Sequence, residues 1–283
     1  MRNRKSVNTL LAVFLLSAVA ANAEVISAQD MKTLMESEEN LVIIDASKAD
    51  TYQGGHLEGA VNIEHSSLYR QGPVAGLIRC LGELSDIFGA NGIARDSNIV
   101  IYDEGSQLYS SRIYWILKHV GAEDVKVLHN DKDAWSKAGL PLATTPTEAD
   151  SVTFIPYPKP ELYASTEHVR DHKDDPNVVL VDVRTPAEFD GTAQNSEGHI
   201  DGAININFTD LLTNTGAFKE APELAAIADA NGITPDKELV FYCRTSVRGT
   251  VSFTAFESIL GYDNVKVYDG AYLEWKASNP VVQ

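Results

Sequence analysis

The chain has two cysteines, and one of them, Cys243, occupies a position suited to chemistry. It follows the apolar, strand-forming run LVFY at 239–242 and opens a short polar loop that contains Arg244 and Arg248. In open α/β sheets, ligands bind beyond the carboxyl ends of the strands. A cysteine at this position is a candidate nucleophile for attack on sulfur or phosphorus in a small anion.

The residues after Cys243 should stabilise negative charge. A helix predicted to begin near Val247 would direct its N-terminal amides and its partial positive charge at the loop. The two arginines add full charges, so the surroundings favour the thiolate over the thiol. The alternative is an inert thiol buried at the end of a strand. The candidate anion-binding residues are Arg244, Thr245, Ser246, Val247, Arg248 and Gly249.

The elements that position this loop occur twice in the chain. Residues 91–103, NGIARDSNIVIYD, align with residues 231–243, NGITPDKELVFYC, at an offset of 140. The stretch 121–127, GAEDVKV, aligns with 261–267, GYDNVKV, at the same offset. A period this long indicates a duplicated domain rather than a solenoid repeat.

The starts of the two halves align at other offsets. Gly55-His56 matches Gly198-His199 at an offset of 143, whereas Asp45 matches Asp182 at an offset of 137. The change between these offsets places an insertion in the loop 190–197.

Each half has the same order of predicted elements. Ser27 and Ser165 are candidate N-caps of a first helix. Continuous apolar runs at 41–45 and 178–182 are typical of strands buried on both faces. Strands that alternate with helices indicate an α/β fold, so we expect two tandem domains, each a parallel sheet with helices on both faces. The other predicted elements are helices near 83–90 and 221–230 and strands at 99–103, 125–129, 239–243 and 265–269.

The domain boundaries follow from these patterns. We expect a first domain at 24–145, a linker at 146–160 and a second domain at 161–283. The linker prediction rests on four prolines in 144–166, which interrupt helix formation.

The N-terminus predicts export. Residues 1–23 combine basic residues, an apolar core at 10–20 and a small-x-small site before Glu24, which is typical of a cleaved signal peptide. An uncleaved membrane anchor is the alternative, although a spanning helix needs about 20 apolar residues. We therefore expect a periplasmic protein that has no contact with the membrane after cleavage.

The composition excludes several classes of protein. Loss of the three basic residues in 1–23 changes the formal charge from −17 to −20, which would repel nucleic acid. Two cysteines cannot form a disulfide framework, and no closely spaced Cys/His set predicts a metal site.

Several stretches of the second half resemble the rhodanese family. VVLVDVRTPAEFDG at 178–191 with GHIDGAINI at 198–206 is similar to the opening signature of that family. VFYCRTSVRG at 240–249 is similar to its active-site strand and loop, and NVKVYDGAYLEW at 264–275 to its closing strand and turn. In the first half, 99–115 resembles the inactive N-terminal domain of the two-domain thiosulfate sulfurtransferases, with Asp103 at the cysteine position.

The resemblance implies sulfur transfer in two steps. The Cys243 thiolate would take the sulfane sulfur of thiosulfate or a similar anionic donor, and cyanide or a thiol would accept it from the resulting persulfide. Arg244 and Arg248 would bind the donor, and the backbone of 245–249 would hold the persulfide. The covalent persulfide would serve in place of a metal or organic cofactor.

Other functions remain open at this point. A persulfide carrier with little turnover is one alternative, and 3-mercaptopyruvate as donor is another. The Thr245 and Glu188 positions depart from the pattern of thiosulfate-using two-domain relatives, which weakens thiosulfate as the donor. A phosphatase of the same fold is disfavoured because only four residues separate Cys243 from Arg248.

The remaining polar residues have structural interpretations beside functional ones. Asp182 and Arg184 are possible supporting residues, Asp182 by orienting the loop or Arg248, although a turn bond is the alternative for Asp182. Arg112 is predicted to form a surface salt bridge rather than to face the cleft. The remaining expectations are turn bonds for Asp45, structural roles for His56 and His199, and a structural thiol, with a disulfide to Cys243 as the alternative, for Cys80.

Overall fold

Two five-stranded parallel sheets form the two halves of the protein. The computed structural model describes residues 24–129 and 132–283, so the predicted signal peptide lies outside the described residues. The prediction of two α/β domains built on parallel sheets is confirmed. In the part of the chain that the structure describes, we find no helix long and apolar enough to cross a membrane.

Within residues 24–129 and 132–145, the first half contains seven strands. They are β1 Val25–Ile26, β2 Leu41–Asp45, β3 His56–Leu57, β4 Ala60–Asn62, β5 Asn98–Tyr102, β6 Asp124–Leu128 and β7 Leu142–Ala143. The order in the main sheet is β1-β6-β5-β2-β4, and a two-stranded antiparallel pair, β3 with β7, lies apart from it. The helices are α1 Ala28–Ser37, α2 Ala49–Gly54, α3 Leu81–Ala90, α4 Leu108–Val120 and α5 Lys132–Ala138, with a 3₁₀ turn at His65–Leu68.

The second half repeats the main sheet with the equivalent order β10-β9-β11-β12-β8. The strands are β8 Tyr163–Ala164, β9 Val178–Asp182, β10 Ile204–Asn205, β11 Glu238–Tyr242 and β12 Val265–Tyr268. The helices are α6 Thr166–His172, α7 Pro186–Phe189, α8 Ala221–Ala230, α9 Val247–Thr254 and α10 Ala271–Ser278. Two 3₁₀ turns, Pro160–Leu162 and Phe208–Leu211, and a π-helical turn, Ala255–Ile259, complete this half.

The element boundaries follow from local chemistry. The strands predicted at 41–45 and 178–182 and the helix predicted at 221–230 have those bounds. Ser27 and Ser165 both accept a hydrogen bond from an amide of the first helical turn, as N-caps do.

Alternate residues of the central strands face two different cores. Ile43 of β2 packs with α1 and α5, whereas its neighbour Ile44 packs in a larger core that continues into the second half. This larger core also contains Phe241 of β11. The continuous apolar strand sequences reflect this burial on both faces.

Helices α4 and α9 pack against each other across the interface between the halves. The rings of Tyr114 and Phe253 lie 6.3 Å apart, and the Lys118 ammonium forms a 2.9 Å ion pair with Glu257. Because α4 follows Asp103 and α9 follows Cys243, this contact brings both loops to the interface.

The linker lies closely over the first half. The amides of Val152 and Tyr157 donate 2.9 Å hydrogen bonds to the carbonyls of Gly89 and Val120. Gly121, at φ +96°, is required here because a Cβ would lie 2.0 Å from the Tyr157 carbonyl oxygen.

The constant offset of 140 conceals two compensating changes in length. Gln107 and Ser246 are the left-handed N-caps of α4 and α9, with φ 58° and 61°, and their numbers differ by 139. The loop after Asp103 is therefore one residue longer than the loop after Cys243. The π-helical turn at Ala255–Ile259 adds one residue to the second half and restores the offset.

Candidate active site

Cys243 lies directly after β11, and its side chain is almost fully buried, with 1% exposed. The loop passes through Ser246 in the left-handed region before α9 begins at Val247, as the sequence predicted. The Ser246 hydroxyl donates to the Tyr268 carbonyl, which fixes the turn. The sulfur therefore lies at the carboxyl end of the sheet, beside the N-terminus of an eight-residue helix.

Arg248, the second arginine of the loop, is held by Glu188. Its two terminal nitrogens donate 2.7 and 2.8 Å hydrogen bonds to the two Glu188 oxygens. This bidentate bond lowers the pKa of Glu188 from 4.5 to about 2. Burial alone would lower the pKa of Arg248, but the bond to Glu188 and the charge of nearby Cys243 raise it.

The sequence identified Glu188 only as a departure from the family pattern, and the structure shows its contact. Glu188 neutralises part of the positive charge that Arg248 brings to the loop. Arg244, in contrast, is exposed, and its nearest polar contact is a long 3.5 Å approach to the Asn195 carbonyl. The exposed guanidinium of Arg244 is thus the more available of the two for a bound anion.

The first half covers one side of the Cys243 loop. Gly76 packs so closely on Thr245 that a Cβ on the glycine would lie 2.8 Å from the Thr245 Cβ. The Ile78 amide donates a 3.1 Å hydrogen bond to Asp269, in the turn after β12. These contacts place residues of the first half directly against the loop and against the turn after β12.

Arg112 of α4 also crosses the interface, and the prediction of a surface salt bridge for it is wrong. Its side chain is fully buried and forms a 2.5 Å ion pair with Asp269. A second bond of 2.8 Å goes from Arg112 to the Gly76 carbonyl. Arg112 is inside because the partner carboxylate comes from the other half, which sequence spacing within one helix does not reveal.

The turn anchored by Asp269 supports the Cys243 loop through the backbone. The Tyr272 amide donates a 3.0 Å bond to the Cys243 carbonyl, and the Leu273 amide a 3.3 Å bond to the Arg244 carbonyl. Arg112 therefore acts on the loop through Asp269 and this turn. The quoted stretch NVKVYDGAYLEW contained Asp269, but nothing in the sequence indicated its partner.

Tyr69 is a further residue of the first half that packs beside Arg112. Burial raises the pKa of Tyr69 to about 12, although the nearby charge of Arg112 opposes this effect. Its hydroxyl is 2.8 Å from His65 Nδ1, and Arg112 lies 5.3 Å from the centre of its ring.

Asp182 and Arg184 bind each other rather than the loop. The Arg184 guanidinium donates to both Asp182 oxygens at 2.6 to 3.0 Å and to the Gly198 carbonyl at 2.8 Å. It also lies 4.0 Å over the Tyr272 ring and is 1% exposed. Arg248 is held by Glu188 rather than by Asp182, and the turn bond that was the alternative for Asp182 is present, from the Arg184 amide at 3.0 Å. The buried Arg184 side chain supports Asp182 and the Gly198 carbonyl.

In the first half, the carboxylate of Asp103 lies inside its own loop. One oxygen accepts backbone hydrogen bonds from three residues, Gly105, Ser106 and Gln107, at 2.8 to 3.2 Å. The other accepts from the amides of Tyr109 at 3.0 Å and Ser110 at 3.2 Å. This loop conformation thus directs five amides at one anion.

The remaining candidate residues have local roles. His56 Nδ1 lies 2.8 Å from the Tyr52 carbonyl and His199 Nδ1 lies 3.0 Å from the Phe189 carbonyl, so the structural interpretation of both histidines is confirmed. Asp45 accepts a turn bond of 2.8 Å from the Ser47 amide, as expected. Cys80 and Cys243 are both free thiols.

Cys80 is exposed and is the N-cap of α3, with its thiol 3.3 Å from a Glu83 oxygen. Within residues 24–129 and 132–283, no group of three or more His, Cys, Asp or Glu side chains is placed to hold a metal ion.

Comparison with known proteins agrees with this architecture. The model of the rhodanese-like domain matches twice, at residues 27–138 and 165–278. A thiosulfate sulfurtransferase of Corynebacterium glutamicum is 30% identical over 249 residues, which cover 79% of this chain and 78% of the relative. The sulfur carrier protein TtuD of Thermus thermophilus is 31% identical over 238 residues, which cover 79% of this chain and 83% of the relative.

The crystal structure of SseA from Escherichia coli, a 3-mercaptopyruvate sulfotransferase with the rhodanese fold, superimposes with a TM-score of 0.80 at 26% identity. The match covers 88% of this chain and 99% of SseA. Two domain matches and relatives of similar length leave little of the chain outside the resemblance. The chain therefore belongs to the rhodanese family of sulfurtransferases, with one rhodanese-like domain in each half.

Proposed function

We propose that this protein moves a sulfane sulfur from a small anionic donor, such as thiosulfate, to a thiophilic acceptor through a persulfide on Cys243. The observation that carries the proposal is the anion cradle of the first half. There, five amides bind the Asp103 carboxylate in a loop that precedes the interface helix. In the second half, the Cys243 thiol stands at the equivalent position, and in this proposal the outer sulfur of a persulfide takes the place of that carboxylate.

The two steps conserve atoms and electrons. The Cys243 thiolate attacks the outer sulfur of thiosulfate, the S–S bond of the donor breaks, and sulfite leaves with the bonding electron pair. The anionic terminal sulfur of the persulfide then lies against the amides of 245–249 and the start of α9. A cyanide or thiolate acceptor takes that sulfur and regenerates the thiolate.

The two arginines have different roles in this proposal. Arg244 is exposed and would attract the anionic oxygens of the donor. Arg248 is closer to the sulfur but shares its charge with Glu188, so it would act mainly by holding the loop. Arg244 is then the arginine that is mainly available to bind the anionic group of the donor. A donor with one carboxylate, such as the monoanion 3-mercaptopyruvate, therefore remains an alternative to thiosulfate.

The first experiment is a mass measurement. Purified reduced protein is incubated with thiosulfate, its intact mass is recorded, cyanide is added, and thiocyanate is measured. We expect a gain of one sulfur atom that cyanide removes. The gain should be absent in Cys243→Ser and present in Cys80→Ser, the matched control for the other cysteine. Labelling that persists in Cys243→Ser, or is lost only in Cys80→Ser, would overturn the proposal.

A sulfur carrier is the second candidate function, and the similarity to TtuD supports it. A carrier would load one sulfur per molecule and release it slowly to small acceptors. Steady-state thiocyanate or thiol persulfide production separates the two: many turnovers per protein support the enzyme, and a single turnover supports the carrier. 3-Mercaptopyruvate in place of thiosulfate in the same assay identifies the donor.

We also propose that the protein acts after export, on the basis of residues 1–23 alone. Fractionation of cells that express the full chain tests this. Processed protein that begins at Glu24 in the periplasmic fraction is the expected result, and full-length protein in the cytoplasm would contradict it.

A further inference from the structure

The Asp182–Arg184 ion pair of the second half has no counterpart in the first. The equivalent residues are Asp45 and Ser47, since both pairs follow the second strand of their sheet and both aspartates accept the amide two residues on. The surroundings also match: Tyr102 and Tyr242 each accept an amide hydrogen bond, from Leu57 and Ile200. The first half thus keeps the carboxylate and lacks the guanidinium.

A cavity lies where that guanidinium would be. It has a volume of about 220 Å³, and Asp45, Ser47 and Gly55 are in its wall. In the second half, the counterparts of the first and third, Asp182 and Gly198, are the groups that accept hydrogen bonds from Arg184. The side chain that would fill this space is present in one repeat and reduced to a hydroxymethyl group in the other.

The lining of the cavity combines carboxylates with apolar side chains. Asp45 is 2% exposed and Asp103 is 3% exposed, and Glu104 adds a third carboxylate. Trp135, Leu140 and Leu142 also line the cavity, and Leu142 is 71% exposed at the surface. Asp45 accepts the Ser47 amide as Asp182 accepts the Arg184 amide, but no guanidinium of residue 47 stands beside it as that of Arg184 stands beside Asp182. The open space next to this buried carboxylate therefore favours a cationic occupant, which would form the charge-assisted hydrogen bonds that Arg184 forms in the second half.

From these observations we infer that the first domain binds a small amphipathic cation with a guanidinium or amidinium head and an apolar body. The head would donate two parallel hydrogen bonds to Asp45, as Arg184 does to Asp182, and the body would contact Trp135 and Leu140. The volume suits such a ligand and is below that of most drug-sized sites, which are about 300–1,000 Å³. This site is separate from the Cys243 loop and does not depend on the proposed sulfur transfer.

The test uses two probes that have nearly the same shape but different charge. Phenylguanidinium and phenylurea are titrated into the full chain at constant ionic strength, with calorimetry and tryptophan fluorescence as readouts, because Trp135 lines the cavity. We expect phenylguanidinium to bind at one site. Phenylurea should bind on the order of tenfold to a hundredfold more weakly, since it replaces a charge-assisted hydrogen bond with a neutral one.

Two variants locate the site by giving each half the residue that the other half has at the equivalent position. Ser47→Arg supplies the missing guanidinium from the chain itself, so it should abolish probe binding, raise the melting temperature and leave sulfur transfer unchanged. Arg184→Ser opens the equivalent space in the second half, so it should bind a second equivalent of phenylguanidinium and recover thermal stability with it. Ser47→Arg leaves Asp45 unchanged, and the turn bond that Asp45 accepts comes from the backbone amide of residue 47, which the substitution keeps.

Three results would overturn the inference. These are an absence of phenylguanidinium binding to the unmodified chain, equal affinity for phenylurea, and undiminished binding to Ser47→Arg. A melting temperature of Ser47→Arg that is not below that of the unmodified chain shows that any loss of probe binding comes from the filled cavity and not from misfolding.

Discussion

The loops after Asp103 and Cys243 occupy equivalent places in two copies of one fold, but they differ in the source of the anion that each would bind. The first loop binds the carboxylate of its own first residue through five backbone amides. The second begins with a thiol, which is shorter and cannot occupy the same cradle. An intramolecular anion completes one loop, while an external sulfur anion would complete the other.

The charged residues around the two loops also differ, and the second loop has more positive charge than the first. Glu104 follows Asp103, whereas Arg244 follows Cys243. Tyr109, two residues into α4, stands where the second half has Arg248. The first loop has therefore lost the nucleophile and also the cations that would attract a donor, so a single substitution should not restore function.

The largest expected effect comes from moving the cysteine between the loops. The double variant Asp103→Cys/Cys243→Ser should lose at least about 10³-fold in thiocyanate production, as expected when a nucleophile is removed. The reason is that Glu104 and Tyr109 provide no positive charge near the new thiol. Steady-state cyanide assays measure the effect.

The variant Asp103→Cys with Cys243 intact is the matched control, and it should keep the activity of the unmodified chain. Substantial transfer by the double variant would mean that the loop fold alone is sufficient and that the charge difference between the halves is unimportant.

A second large effect is expected at the interface. Arg112→Met should destabilise the protein by about 3–5 kcal/mol, because it leaves Asp269 buried without its partner. The double variant Arg112→Met/Asp269→Asn should recover a large part of this loss, since neither charge then remains. Urea unfolding at pH 7 measures both, and a cost below about 1 kcal/mol for Arg112→Met would show that the pair contributes little to stability.

Much of this comparison could be predicted from sequence. The duplicated stretches indicated the two halves and the place of Cys243, because continuous apolar runs and turn residues are local signals. The strands predicted at 99–103, 125–129, 239–243 and 265–269 each end one residue earlier in the structure, so Asp103 and Cys243 belong to the loops. The partners of Glu188, Arg112 and Asp182 could not be predicted, since each depends on which side chains the folded backbone brings together. The position of Asp182 at a strand end suggested that it orients the loop or Arg248, but its side chain binds Arg184, two residues away.

The hydrogen bonds that the Asp103 carboxylate accepts within its own loop predict a moderate loss of stability when this carboxylate is changed. Asp103→Asn should lower the free energy of unfolding by about 1–3 kcal/mol, because an amide offers one acceptor atom where the carboxylate offers two. Chemical denaturation measures the effect. The matched control is Glu104→Gln, which removes the same charge from an exposed neighbouring residue. Equal stability of the two variants would show that the amides of this loop do not depend on the carboxylate.

The smallest effect is expected at Glu188. It distinguishes a role in reducing the positive charge of Arg248 from a role in holding Arg248 in place. In Glu188→Gln, Arg248 is released, so the KM for thiosulfate should fall roughly twofold to fivefold, an effect below about 1 kcal/mol for a partly exposed pair. Glu197→Gln, which removes a more exposed carboxylate paired with Lys276, is the matched control for net charge. An unchanged or higher KM in Glu188→Gln would indicate that Glu188 assists binding by holding Arg248 in place.

The same pair gives a pH dependence with a defined sign. The pKa of Glu188 falls from 4.5 to about 2 on folding, so its contribution to stability is complete above pH 4.5 and is lost as the pH falls through 2. The difference in unfolding free energy between the unmodified chain and Glu188→Gln should therefore be constant at neutral pH and shrink below pH 4.5. Urea unfolding from pH 7 to pH 3 measures this, and a difference that grows as the pH falls would contradict the ion pair. Because only the second half has a carboxylate at this position, the first half having Thr51, the pH effect belongs to the Cys243 loop alone.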